Sequence, residues 1–347
     1  MERPNYIDYA KSICILLVVL GHYTYYLGID FKPSPVWYLM HSITLFHIPC
    51  FFLISGFLYK QQSFKESIRK SWVQLMRPYF LMSAICLLIM EAKKCFNGDF
   101  SLINIVANIV GIASAGDFFG FENEYSSPLW FLWALVLIKM WASAKSCGKI
   151  MGGGMLLLVS MLGLAVLYIG NRLPFRIDSA SVGFLFFILG YKYKTVIKQL
   201  LKDKYTTVFT MARSLIILIG SAYLNLDYNQ RQCLSINACS FGNYPILFLA
   251  SGISGTLFIL SLCKLIESAK LKPILYISNG TIIILGFQKM IYLLIFKGWI
   301  QSPTVFGALS VALCILLICY FLIIAISKYA PILLGNRKIN NNVRTNK

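Results

Sequence analysis

Residues 6–59 read YIDYAKSICILLVVLGHYTYYLGIDFKPSPVWYLMHSITLFHIPCFFLISGFLY. Two apolar runs are joined by a short polar link. A helix needs about 20 apolar residues to cross a hydrocarbon core roughly 30 Å thick, and each run is long enough. Each also carries a histidine where hydrocarbon is expected. The chain has only three histidines, His22, His41 and His47, and all lie in this stretch. A charged side chain at the middle of a membrane costs about 2.5–3.5 kcal/mol on insertion scales, so an ionisable group there marks a candidate site.

The rest of the chain agrees with a membrane reading. Of 347 residues, 58% are hydrophobic and 13% charged, where a soluble domain carries about 25% charged residues. Mean hydropathy is +0.70. Ten apolar segments qualify as spans, at 9–28, 38–59, 78–92, 128–144, 151–170, 177–193, 208–226, 244–266, 274–296 and 304–327. The longest link, 93–127, contains the apolar run Leu102–Gly116, too short for a span and expected to form an interfacial or re-entrant helix. The expected fold is an all-α polytopic membrane protein. Residues 1–335 form one transmembrane unit and 336–347 a disordered basic tail. The first apolar run lacks a small-residue cleavage site and is expected to be retained as a helix.

The net charge of +19 would suggest nucleic acid in a soluble protein. Distributed over ten spans, about 23 Lys and Arg residues fall on the side of the N-terminus and about seven on the other, the bias of cytoplasmic loops. Both termini are therefore expected in the cytoplasm of a bacterial-type inner membrane, in contact with lipid and not with nucleic acid. The cysteines are mostly isolated in apolar runs and act as small hydrophobes. No CxxC or Cys/His cluster suggests a metal. Cys233 and Cys239 share one loop and could pair if it is extracytoplasmic.

Helical geometry orders the candidate residues. Lys11 and His22 are eleven residues apart, so they share one face to within about 20°. Asp8 is one turn before Lys11, near enough to pair with it. With Asp8 at the inner boundary, His22 lies about 21 Å along the axis; counted back from Tyr59, His47 lies about 18 Å along the returning helix. The two histidines reach a similar depth on consecutive helices, while His41 comes out near the outer surface. Such a pair either links helices by hydrogen bonds or does chemistry. Imidazole takes a proton near neutral pH. Without a metal motif or a neighbouring cysteine, the economical chemistry is activation of a hydroxyl for group transfer. A transporter or flippase of a lipid-linked glycan is the alternative, although no inverted repeat of the transporter kind is evident.

The opening RPNYIDYAKSICILLVVLGH, with Asp8, Lys11 and His22 in order, resembles the membrane-bound acyltransferase-3 family, and within it the fucose 4-O-acetylase-like branch that acetylates polysaccharides. FHIPCFFLISGF matches at Phe46, His47, Pro49, Phe51, Phe52, Ser55 and Gly56. RPYF matches at Arg77, Pro78 and Tyr79, and PLWFLWAL at Pro128–Leu135. The resemblance implies acyl transfer from acetyl-CoA to a hydroxyl of a glycan or lipid-linked glycan. His22 would be the general base, with Lys11 and His47 lining the path. Arg69 and Arg77 would hold the phosphates of the donor, and Trp130 and Trp133 would shape the sugar pocket. Gln288 stands where members often carry a late histidine, and its amide would orient a sugar hydroxyl. The acceptor sugar, the acyl group and the oligomeric state stay open.

Overall fold

The computed structural model describes residues 4–26, 35–116, 121–144, 153–169, 173–226, 234–269, 272–297 and 304–335. They fold almost entirely into helices: α1 (Asn5–Tyr26), α2 (Pro35–Leu58), α3 (Phe64–Ser71), α4 (Arg77–Phe96), α5 (Leu102–Ala113), α6 (Trp130–Ser143), α7 (Gly153–Ile169), α8 (Ile177–Lys192), α9 (Lys194–Leu200), α10 (Lys204–Asn225), α11 (Pro245–Leu265), α12 (Lys272–Asn279), α13 (Thr281–Ile291) and α14 (Val305–Tyr329). No β-sheet forms among the described residues.

Each of the ten sequence segments coincides with a helix or a helix pair, but they are not equivalent. Six helices are long and apolar enough to cross a membrane, and eight if two bent pairs each count as one span. The segments at Ser127–Ser143 and Leu157–Ile169 are shorter apolar helices. Two further departures shape the site. The segment 274–296 is not one helix: α12 and α13 meet at Gly280 with a bend of 84°. The third span begins earlier than Pro78, because α3 and α4 are joined through a π-helical turn, Trp72–Met76. Leu102–Ala113 is the expected short apolar helix, with Leu102, Ile103, Val106 and Ile109 exposed.

The core is built around α2, which packs against α1, α8 and α11. Of its apolar stretch 78% is buried, against 33% for α10 and α14. The latter two present rows of exposed apolar side chains such as Ile216, Ile219, Leu313 and Leu317, as lipid-facing helices do. Asp203 starts α10 as a capping box with Thr206; the Thr206 backbone N–H on its carboxylate holds that carboxyl below its usual range.

Helices in lipid gain nothing by hiding hydrocarbon from more hydrocarbon, so they associate by close packing of small residues. The α2–α8 contact shows this. A Cβ at Gly56 would overlap the backbone oxygen of Phe187, and one at Gly190 the backbone oxygen of Leu53. The two backbones therefore touch directly. Gly56→Ala is expected to cost about 1–3 kcal/mol, as overpacking does, and to lower the melting midpoint in detergent. Gly220→Ala is the contrast. Nothing lies within 4 Å of a Cβ there, so the change is expected to leave the midpoint unchanged or raise it, Ala being better than Gly in a helix by about 0.5–1 kcal/mol.

Candidate active site

The site begins with the way α1 holds the broken helix. Ser12 Oγ donates to the Ile274 carbonyl at 2.6 Å, and Ser278 Oγ donates to Asp8 Oδ1 at 2.6 Å. Both bonds clamp α12 onto the first half of α1. The chain then turns at Gly280, where a Cβ would overlap Ile323 of α14, and α13 sets off at its own angle. Asp8 is thus buried as the anchor of this break. That bond gives Asp8 a structural use.

A cavity of about 410 Å³ opens beside the break. Its wall is drawn from α1 (Lys11), α2 and the following link (Phe51, Ser55, Leu58, Tyr59, Lys60, Gln62), α3 and the π turn (Lys70, Ser71, Gln74, Leu75), α6 (Phe131, Leu132, Leu135, Lys139) and the broken helix (Ser278, Asn279, Thr281, Ile282, Leu285). Four lysines contribute, and Lys70 is also paired with Glu66 at 2.7 Å. The hydroxyls of Tyr59 and Ser71 are buried in this wall and have no hydrogen-bond partner in the protein. A buried polar group left unmatched costs about 1–3 kcal/mol, so both point to something that completes them.

Arg69 and Arg77 are not part of this wall. Arg69 is exposed, one residue and therefore about 100° from the cavity-lining Lys70. The π turn between Lys70 and Arg77 adds a residue to the helical repeat and changes which face Arg77 presents. Its Nε and Nη2 are buried without hydrogen-bond partners. The basic groups at the cavity are lysines instead.

The histidines lie just beyond the far end of the cavity. Counting along the helices, His47 is four residues past Phe51, about 6 Å, and Gln288 is three residues past Leu285, about 4.5 Å. The His47 ring is fixed: Nδ1 lies 2.7 Å from the Ile43 carbonyl. A carbonyl only accepts, so Nδ1 carries the hydrogen and the neutral ring keeps its lone pair on Nε2. His22 on α1 is within electrostatic reach of His47, Gln288 and Lys289. The matched depth read from helical rise is therefore realised as proximity. Tyr23, next to His22, donates from its hydroxyl to the Gln288 carbonyl at 2.9 Å, fastening α1 to α13 at this level.

On the side away from the cavity the surroundings stay polar. Lys289 Nζ donates to Ser127 Oγ at 3.1 Å. Glu91 is buried; its Oε1 accepts from the Tyr125 hydroxyl at 2.6 Å and lies 3.4 Å from Lys94 Nζ, while its Oε2 has no partner. Sequence reasoning passes over Lys289 and Lys139 as site residues, though it carries the signal for them. Both are lysines inside apolar segments, the same anomaly that singles out the histidines.

The remaining candidates take other places. Trp130 is buried at the start of α6 with the Arg176 guanidinium 5.6 Å above its ring, and Trp133 packs edge-on to Tyr79 at 6.0 Å; neither lines the cavity. His41 is buried within the protein. Cys233 lies outside the described residues, and the Cys239 thiol donates to Asp178 Oδ2 at 2.9 Å. No cluster of three or more metal-ligating side chains occurs among the described residues.

Sequence comparison decides what class of chemistry this arrangement belongs to. The model of a family described as an acyltransferase domain matches residues 5–327, nearly the whole chain. The chain belongs to that family. The chain is also similar to the nodulation protein NolL of Mesorhizobium japonicum, 30% identical over 141 residues, which are 38% of this chain and 33% of that protein. It is 31% identical over 160 residues to NolL of Sinorhizobium fredii, covering 43% of this chain and 39% of the relative. The matched part is thus between a third and two-fifths of the length of these relatives. No solved structure matches. Family membership and the long apolar helices place the chain among membrane-embedded members of an acyltransferase family.

Asp8 and Ser278 together generate a stability prediction. Loss of a hydrogen bond to a charged group costs about 1.5–3 kcal/mol, so Asp8→Ala and Ser278→Ala should each lower the unfolding midpoint in detergent. The double variant should cost little more than the worse single one, because the two residues share a single interaction. Additive losses would show that they act apart.

Proposed function

We propose that the protein transfers an acetyl or related acyl group from its coenzyme A thioester to a hydroxyl of a surface glycan or its lipid-linked precursor. The observation that carries this reading is the placement of a lysine-lined cavity whose far wall ends one helical turn from His47 and Gln288, and so beside His22.

Coenzyme A is polyanionic, and Lys11, Lys60, Lys70 and Lys139 with the orphaned hydroxyls of Tyr59 and Ser71 suit its phosphates and polar arm. Lysines bind phosphate as mobile point charges. When bound, the donor supplies the activated acyl carbonyl. Lys11 is about 16 Å along α1 from His22, so the lysines hold the anionic end while the thioester reaches the imidazoles. The acceptor approaches from the opposite side, past Lys289, Ser127 and Glu91.

His22 takes the proton of the acceptor hydroxyl as that oxygen attacks the acyl carbon. A carbon–oxygen bond forms, the carbon–sulfur bond breaks, and the proton passes from His22 to the departing thiolate. Reactants and products balance without a net proton. In this reading the lysine end faces the cytoplasm, where coenzyme A is found, and the acceptor meets the site from the other face of an inner membrane. The charge bias of the loops supports the same orientation.

Three measurements test this. His22→Ala should abolish O-acetyl groups on the surface polysaccharide at equal protein level; unchanged acetylation overturns the assignment of His22 as base. Lys60→Gln and Lys139→Gln should raise KM for acetyl-CoA about 3- to 10-fold with kcat kept, the pattern of lost uniform binding, and added salt should narrow the difference. Lys60→Cys should react with a membrane-impermeant maleimide in inside-out vesicles but not in intact cells.

A further inference from the structure

The proposed base needs a defined proton arrangement, and one residue beside it is in a position to impose that arrangement. The inference rests on the reading of His22 as base. An imidazole acts as a base only if the nitrogen facing the hydroxyl carries the lone pair, and the hydrogen bond made by the other nitrogen decides this. For His47 the Ile43 carbonyl does so. His22 sits on α1, and the residue of α13 that it interacts with is Gln288.

Gln288 is 0% exposed. Neither its amide oxygen nor its amide nitrogen completes a hydrogen bond in the protein. Each unmatched atom costs about 1–3 kcal/mol, an expense that a purely packing residue, Leu or Met, would avoid. The side chain is not free to turn away to solvent, and its main chain is held: Tyr23 donates to the Gln288 carbonyl at 2.9 Å, and the Tyr23 ring packs tilted against Tyr292 with centroids 5.4 Å apart. Two residues back, Gly286 gives α13 close contact with Met82 of α4. The bond from Tyr23 thereby holds Gln288 beside α1 at the level of His22, with which it interacts. In unliganded enzymes such contacts are often loose and tighten when substrate arrives.

We propose that Gln288 is a positioning residue, whose amide oxygen accepts the N–H of His22 and leaves the other ring nitrogen with its lone pair toward the acceptor hydroxyl. Gln288 then acts on the base and not on the sugar. The amide N–H₂ group stays available to the site, but the positioning needs only the oxygen.

The number of histidines makes the test direct, because only His22, His41 and His47 contribute to a spectrum. Full-length protein labelled with ¹⁵N-histidine in lipid bilayers reports each ring's tautomer, with His22→Ala and His47→Ala assigning the signals. Wild type should show one neutral tautomer at His22. Gln288→Leu, similar in volume, should show a mixture. In it, kcat for acetyl transfer from acetyl-CoA to the isolated surface glycan of the producing cells should fall about 100-fold, at the lower end of general-base effects, with KM for acetyl-CoA unchanged. Gln288→Glu keeps an acceptor oxygen and should restore both the single tautomer and part of kcat. The Nδ1–H form of His47 should persist in every variant that keeps His47 and so certify the fold. A His22 tautomer unaltered by Gln288→Leu overturns the inference, as does a Glu variant no better than Leu. Full acetylation by His22→Ala would instead overturn the base assignment, and the spectra decide the role of Gln288 separately.

Discussion

The hydrogen bond from Ser278 to Asp8, close to the 84° bend at Gly280, is the interaction on which the site depends. A broken helix in a membrane leaves backbone groups without partners, and such breaks persist only where protein or a cavity takes them up. Here Asp8 and Ser12 fasten the α12 side, and the cavity borders Asn279 and Thr281. Because the fastening is on α1, the same helix that carries His22 also aims α13 at it. The anchor and the proposed base are therefore carried on one helix, and the tyrosine bond to Gln288 ties that helix to α13 a second time.

Much of this arrangement is legible in the amino-acid order. The two anomalous histidines, the shared face of Lys11 and His22 and the matched depth of His22 and His47 follow from helical rise and turn alone, and the two rings are within electrostatic reach of each other. All ten apolar segments are helical. What is not legible has physical causes. A break at Gly280 leaves apolar residues on both sides, so hydropathy runs on undisturbed across an 84° bend. A π turn changes the face of every later residue in its helix without any mark in composition, which separates Arg77 from the cavity. Helices such as Ser127–Ser143 are as apolar as true spans but shorter. The lysines at 139 and 289 are visible, and the rule that picks out the histidines applies equally to them.

The division of labour between α2 and α13 follows from packing. Gly56 and Gly190 bring α2 and α8 into backbone contact, leaving no side-chain cushion that could give. His47 rides on that helix with its ring fixed by Ile43. α13 is an 11-residue half-helix that packs closely at Gly286 and adds polar bonds through Gln288 and Lys289. One wall of the site is thus set by packing alone and the other by packing together with hydrogen bonds.

The cavity also has a history in the making of the protein. Its wall takes Lys11 from the first helix, Phe51–Leu75 from the second and third, Phe131–Lys139 from the sixth and Ser278–Leu285 from the break. A chain emerging N-terminus first presents the lysines long before the last wall exists. Until residue 285 has been inserted there is no enclosure, and His22 has no Gln288 beside it. The parts of the site are synthesised early and become a site only late, so an incomplete chain carries the reactive residues without the means to use them.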